Sequence, residues 1–362
     1  MTCELSSSAI SASLVAALAA RLPAARFEAI QARIDAKTKP LGALGALEEL
    51  AQRLVALAEL RGVTTAERLA APRMLVFAAD HGIASEGVSI TSSAVTRQMV
   101  GNFLAGGASV NVFCRQVGMA LEVVDCGILA ALPASEGLVE RRLGDGTQAL
   151  HQAAAMTREQ ALLGLDNGRR LALERAERGM DLLGVGEMGI GNTTAAAALM
   201  AALTGFSVDA CVGRGTGVDL GTLLRKKQLV IRALALHQGP AGGDPLELAA
   251  RLGGFEIVTM AGALIGAAER AVPVLLDGFV SCVAALLACA LVPTVRDYLL
   301  FTHCSSEKGH ALLLEWLEAK PLMQLGLRIG EGAGGALALP LLRAALAFYD
   351  QMASFEEAGV KV

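Results

Sequence analysis

Residues 184–194 read GVGEMGIGNTT. The first six satisfy G-x-G-x-x-G, the pattern of a strand-to-helix turn that cradles a dinucleotide pyrophosphate. Yet a carboxylate, Glu187, stands among the amides that such a turn aims at phosphate, where it would repel the ligand unless it points elsewhere. The second half, Gly191-Asn192-Thr193-Thr194, opens a helix with amide and hydroxyl donors and so offers a site for a monophosphate. Three readings follow. The 184–189 stretch is the cofactor turn of an NAD-dependent oxidoreductase, or a phosphate cradle beside a working carboxylate, or a glycine turn that only serves tight strand-to-helix packing.

The same grammar of short apolar run, Gly-rich turn and helical pattern recurs outward in both directions. Residues 73–79, 120–124, 180–185, 272–276, 298–302 and 325–329 are continuous apolar runs, each leading into a turn such as DHG, DCG, DGF, HCSSE or GEGAGG. Runs without alternation suit strands buried on both faces of a parallel sheet, and helical segments such as 193–203 and 255–270 complete β-α-β units. The fold class is therefore α/β, a Rossmann-like parallel sheet flanked by helices. Residues 6–60 read as helices only, broken by the 37–42 turn, and they cap the sheet or join the C-terminal helix near 340–352 in a small helical domain. The organisation expected is residues 1–60 in the small domain, 61–338 as the α/β core and 339–362 as the C-terminal helix returning to the small domain. Ligands gather at the carboxyl ends of such strands, which singles out Asp80, His81, Glu187, Asn192, Ser305 and Glu331.

Bulk properties remove other classes. The chain has 362 residues, a formal net charge of -4 and 4% aromatic residues, so it offers neither the basic field nor the stacking platforms of a nucleic-acid binder. Mean hydropathy of +0.51 raises the membrane question. The longest uncharged run, 278–295, is stopped early by Pro293 and lacks a flanking aromatic belt, so it is expected to be a buried core helix and not a span. MTCELSSSAI has no basic n-region. Seven scattered cysteines without a C-x-x-C pair favour reduced thiols in a cytoplasmic protein. The excess of apolar residues favours a homodimer.

Two more Gly-rich stretches carry chemistry. VGRGTGVDLGTLLRKK (212–227) alternates glycines at 213, 215 and 217 before Lys226, which is placed to reach an anion. RIGEGAGGALALP (328–340) sets Glu331 between Gly330 and Gly332, as a close-approaching ligand would require. His303, Glu307 and His310 in HCSSEKGH match no zinc spacing, and helix capping by Ser305 or Ser306 explains that stretch better. No metal is expected, and no cofactor.

Taken together, RIDAKTKPLGALGALEELA (33–51), VFAADHGIASEGVS (76–89) with VTRQM (95–99), GVGEMGIGNTTAAAAL (184–199), VGRGTGVD (212–219), VPVLLDGFVSCVAALLA (272–288), HCSSEKGHALLL (303–314) and RIGEGAGGALALPLLRAA (328–345) resemble the nicotinate-nucleotide:dimethylbenzimidazole phosphoribosyltransferases of cobalamin synthesis. The likeness runs from about residue 28 to 355. It departs mildly at KPLGALG, where the family pattern has a second proline and a serine. The resemblance implies transfer of a 5-phosphoribosyl group from nicotinate mononucleotide to a benzimidazole nitrogen by a homodimer. It implies that Glu331 is the catalytic glutamate and Glu187 a second acid near the ribose. Gly186, Gly189, Ile190, Gly191, Asn192, Thr193, Gly215 and Lys226 would hold the nucleotide and its 5′-phosphate. Ser89, Gln98 and Met188 would line the flat aromatic pocket, Ser305 would contact the nucleotide, and Ile329, Gly330 and Gly332 would complete the glutamate loop. A benzimidazole must lose its ring N–H proton as the other nitrogen attacks, and a carboxylate is a natural acceptor for it.

Overall fold

A computed structural model describes residues 24–63, 68–215 and 217–361. Expectations on residues 6–23, on Cys3 and on Thr216 lie outside these residues. Among the described residues six strands, β1 (Pro72–Ala79), β2 (Ala120–Gly127), β3 (Leu138–Glu140), β4 (Leu182–Met188), β5 (Val274–Leu276) and β6 (Leu299–Phe301), form one sheet in the order β3-β2-β1-β4-β5-β6. Every pairing is parallel. The order reverses between β1 and β4, which makes the carboxyl ends of those two strands the topological switch point where such sheets bind ligands.

The period-2 alternation of a strand divides the core between the two faces. Leu75, Phe77 and Ala79 of β1, with Leu183 and Val185 of β4, face one apolar cluster formed with helices Arg158–Glu177, Asn192–Thr204, Phe255–Glu269 and Phe279–Leu291. Met74, Val76 and Ala78 face the other, shared with helices Ala24–Asp35, Ala46–Leu60, Ala94–Leu104, Ser109–Val117 and Ala333–Gln351. The N- and C-terminal helices thus cap one face and share its core. The boundary at 338/339 falls inside the continuous helix Ala333–Gln351. On the other face, a Cβ on Gly168 would meet the backbone of Thr259 and one on Gly262 the backbone of Leu165, so glycine lets helices Arg158–Glu177 and Phe255–Glu269 pack backbone to backbone. The uncharged run at 278–295 is the buried helix Phe279–Leu291, followed from Pro293 by a 3-10 turn. No helix among the described residues is long and apolar enough to cross a membrane.

Two strand assignments change. Residues 325–329 are not a strand: Gly326 has a φ of 67°, Leu325 is exposed, and the parallel pairing beside β6 is already taken by Leu322 and Met323, whose amides donate to Phe301 O and Thr302 O. The three-residue edge strand β3 was not expected, being too short to stand out from a loop.

Candidate active site

β4 runs through Met188, so residues 184–188 are extended strand and not a turn. The glycines there make room for protein neighbours: a Cβ on Gly184 would lie 2.5 Å from Met74 Cε, and one on Gly186 would strike the backbone of Glu331 and Gly332. Asp209, the acidic residue a dinucleotide fold places on its second strand, sits in the short helix Val208–Cys211 and pairs with Lys227 Nζ at 2.6 Å. The fingerprint is present in letters and absent in geometry. The oxidoreductase reading falls with it.

What the bare backbone of Gly186 admits is the 328–332 loop. This loop passes over the carboxyl ends of β5 and β4: Gly330 Cα lies 3.3 Å from a Cβ built on Gly278, and Glu187 N donates to Gly330 O at 2.9 Å. Any side chain on Gly330 would strike the Glu187 carboxylate. Gly332, at φ 100°, starts helix Ala333–Gln351 and faces Met74. The glycines flanking Glu331 therefore answer to Glu187 and Met74, and their effect is to seat the Glu187 and Glu331 carboxylates on one cavity of about 350 Å³. A larger hollow of about 710 Å³ opens around Arg61, Asp181 and Arg270 at the amino ends of the strands, away from the switch point. Size does not select the site; convergence of functional groups at the strand ends does.

Both carboxyls are held above the ordinary range. Glu331, half-buried, is pushed up to about 7 by burial and then by the charge of Asp277. The helix start that follows it does not reverse this. Glu187 is raised by burial, then by Glu256, with smaller contributions from Glu331 and Asp277, against the hydrogen bond it accepts from Asn192 Nδ2. A carboxylate whose affinity for protons lies near neutrality is suited to accept one at working pH. Behind Glu187, His81 Nε2 and Glu256 Oε1 are 2.8 Å apart with both side chains fully buried, and Leu129 N donates to Asp80 Oδ2 at 2.8 Å. Asp80 and His81 are thus structural neighbours of the site and do not face the cavity.

The anion side differs from expectation in detail. Lys226 is 1% exposed, and its Nζ donates to Thr193 Oγ1 at 3.2 Å. Burial lowers its pKa, and Glu307 opposes that. Three loop amides are already engaged: Ile190 N with Thr96 Oγ1, Asn192 N with Gly189 O and Thr194 N with Gly191 O. The Gly215 amide, expected to face phosphate, donates to Glu307 Oε2 at 2.9 Å. Glu307 is also the N-cap residue of helix Lys308–Trp316 and makes no side-chain cap there. Ser305 Oγ accepts at 3.4 Å from Glu307 N, the amide of the N-cap residue, and from no amide inside the helix. The same Oγ lies 2.8 Å from His310 Nδ1, which also accepts from Ser305 N at 2.9 Å. That backbone donor fixes the proton of His310 on Nε2, directed at Cys282 Sγ 3.2 Å away, and burial holds the His310 pKa down to about 3. HCSSEKGH is thus a serine-positioning network.

The apolar wall includes Ile90, Val95, Met99, Met188, Phe279 and Ile329. From helix Ala94–Leu104 it is Val95 and Met99 that face the cavity, one turn apart, while Gln98 is exposed beside them. Ser89 adjoins the lining residues Ile90 and Thr91, its Oγ 3.4 Å from Thr91 Oγ1. Asn192, Thr193, Gly189, Gly215 and Ser305 line the cavity; Gly186, Gly191 and Gly332 support it from behind, and the Lys226 ammonium lies against the lining residues Thr193 and Gly215. Sequence reasoning passed over Thr96, Glu256, Glu307 as the Gly215 partner, and Asp277. Asp277 carried the same signal as the residues singled out, an acid followed by glycine at a strand end.

A parallel sheet in this order, with a buried lysine against a helix start and two raised carboxylates meeting on one cavity at the switch point, defines an α/β protein whose candidate active site lies at the strand ends. A family model described as Phosphoribosyltransferase matches residues 20–360. The nicotinate-nucleotide–dimethylbenzimidazole phosphoribosyltransferase of Shewanella sediminis is 53% identical over 92% of this chain and 96% of its own. That of Shewanella amazonensis is 55% identical over 92% and 96%. The crystal structure of CobT from Thermus thermophilus superposes with a TM-score of 0.88 at 47% identity, covering 93% of this chain and 99% of that one. The chain belongs to the nicotinate-nucleotide–dimethylbenzimidazole phosphoribosyltransferase family.

Proposed function

We propose that this chain transfers the 5-phosphoribosyl group of nicotinate mononucleotide to 5,6-dimethylbenzimidazole, giving α-ribazole 5′-phosphate and nicotinate in the assembly of the cobalamin nucleotide loop. The observation that carries the mechanism is the meeting of Glu331 and Glu187 on one cavity, with Glu331 near 7. One benzimidazole nitrogen attacks the anomeric carbon, forming the new C–N bond. The bond to nicotinate breaks with its electron pair returning to the pyridine nitrogen, and the configuration inverts. The proton on the other benzimidazole nitrogen goes to Glu331. Glu187, held by Asn192, orients the ribose and stabilises positive charge that develops on it. Lys226 and Thr193 hold the 5′-phosphate, which displaces the Glu307 carboxylate from the Gly215 amide; Ser305, set by His310, contacts the nucleotide. Val95, Met99, Met188 and Ile329 receive the flat base, with Ser89 and Gln98 at its rim.

The reading extends to a cytoplasmic homodimer. Leu220, Leu224 and Ile231 are 61%, 51% and 55% exposed and recur on one face of helix Leu220–Ala241, an apolar stripe suited to a second copy. Helices Ala24–Asp35, Ala46–Leu60 and Ala333–Gln351 act as one unit covering one face of the sheet. Incubating the protein with nicotinate mononucleotide and 5,6-dimethylbenzimidazole and identifying the products by mass tests the reaction. Formation of α-ribazole 5′-phosphate and nicotinate in equal amounts is expected, and absence of both would overturn the assignment.

A further inference from the structure

We propose that Asp277 is a positioning residue for Glu331: from the end of β5 it caps the helix that follows the glutamate and so fixes where that carboxylate meets the cavity. The inference rests on Glu331 being the base. Helix Ala333–Gln351 begins at Gly332, whose lack of a side chain leaves the helix without a cap of its own. Asp277 supplies one from another element. Its Oδ2 accepts from Gly332 N at 2.8 Å and its Oδ1 from Gly335 N at 3.2 Å, the N-cap and N3 amides. In a capping box these two amides are satisfied by two side chains of the helix itself. Here one carboxylate, 0% exposed, serves both. The sequence is built around it: a Cβ on Gly334 would lie 2.6 Å from Asp277 Oδ1, and one on Gly332 2.6 Å from Met74 Sδ. Glu331 immediately precedes this clamped residue, so the backbone that aims it is fixed on one side by Asp277 and on the other by the bond from Glu187 N to Gly330 O.

The charged surroundings are shared between several elements. Glu187 faces Glu331 from β4, and Glu256 of helix Phe255–Glu269 bears on Glu187. The His303 imidazole, fully buried after β6, places Nε2 3.4 Å from Asp277 Oδ1. Arg328 lines the same cavity from the glutamate's own loop. Among these, Asp277 is the only one that both bonds to the glutamate's helix and bears by charge on its carboxyl.

Asp277→Asn keeps the shape but presents one acceptor and one NH2 group, so one helix amide faces a donor, and the negative charge is lost. Asp277→Glu keeps the charge and displaces it by a methylene. For Asp277→Asn, kcat should fall at least tenfold while nicotinate mononucleotide affinity stays within threefold. The acid limb of kcat/KM and the Glu331 carboxyl titration, followed by carbon-13 NMR, should both move down by roughly one unit. Asp277→Glu should lose kcat with the limb near its original position, and serves alone if Asp277→Asn does not fold. The proposal is overturned if both variants keep wild-type kcat and titration. It is equally overturned if activity falls only in step with nucleotide affinity and melting temperature. The NMR titration separates the two readings: a shift with Glu331→Gln still active would refute Glu331 as base and leave Asp277 as the group that sets its titration.

Discussion

Replacing Glu331 by Gln removes a proton acceptor while keeping size and hydrogen-bonding capacity, and its consequences can be worked out in two directions. Catalytically, the loss of a positioned base lowers kcat by roughly 10²–10⁴-fold. With the carboxyl held near 7, about half of the wild-type enzyme carries an active base at pH 7, and about a tenth at pH 6. The acid limb of wild-type kcat/KM should therefore bend near 7, and the variant should lack it.

Thermodynamically, the sign is opposite. A carboxyl raised from 4.5 to about 7 stabilises the folded state fully below 4.5, and that contribution is lost as pH rises through 7. At pH 8 the ionised, half-buried Glu331 costs the wild type at most about 3 kcal/mol relative to a neutral group. The figure is an upper bound because part of its hydration remains. Glu331→Gln should then melt higher than wild type by roughly 3–5 °C at pH 8, and the gap should close at pH 4. Stopped assays over pH 5.5–8.5 and paired calorimetric scans at pH 4 and 8 measure both. A variant that keeps kcat within threefold, or that retains the acid limb, refutes Glu331 as the base. Equal melting temperatures at pH 8 refute the burial that raises its pKa.

Three further outcomes follow from other contacts. Lys226→Met should weaken nicotinate mononucleotide binding by about 1.5–3 kcal/mol in calorimetric titration through loss of a charge-assisted contact, with kcat at saturation changed less than threefold. Gly186→Ala would push a methyl group into the backbone of Glu331 and Gly332; kcat should fall at least tenfold in a folded protein, and retention of full activity would show that the loop does not depend on this approach. Light scattering at micromolar concentration should give a dimer mass, reduced to a monomer mass by Leu224→Glu, which puts a charge in the exposed stripe of helix Leu220–Ala241.

Much of the site was legible because strand ends in a parallel sheet advertise themselves. An apolar run closing on an acid or a Gly-rich turn marked β1, β4 and β5 and led directly to Glu187, while Glu331 was singled out from the Gly-Glu-Gly turn after a run that is not a strand. The same rule misplaced residues 325–329, since apolar letters alone do not say whether a neighbouring strand is free to pair, and β6 had already taken Leu322 and Met323. The glycines were read as room for a ligand, but a sequence does not say who approaches. Gly184 and Gly186 admit Met74 and the Glu331 backbone, and Gly330 admits the Glu187 carboxylate. That is also why G-x-G-x-x-G misled: glycine spacing reports close approach, and only the partner distinguishes a pyrophosphate from a loop arriving about 140 residues later in the chain. The role of Glu307 toward Gly215 and that of Asp277 were missed for a related reason. Each carboxylate works on amides of a distant segment, Gly215 for one and Gly332 with Gly335 for the other, and such pairings exist only once the sheet has brought its strand ends together. Carboxylates at a strand end can be read locally; the residues that aim them depend on the fold.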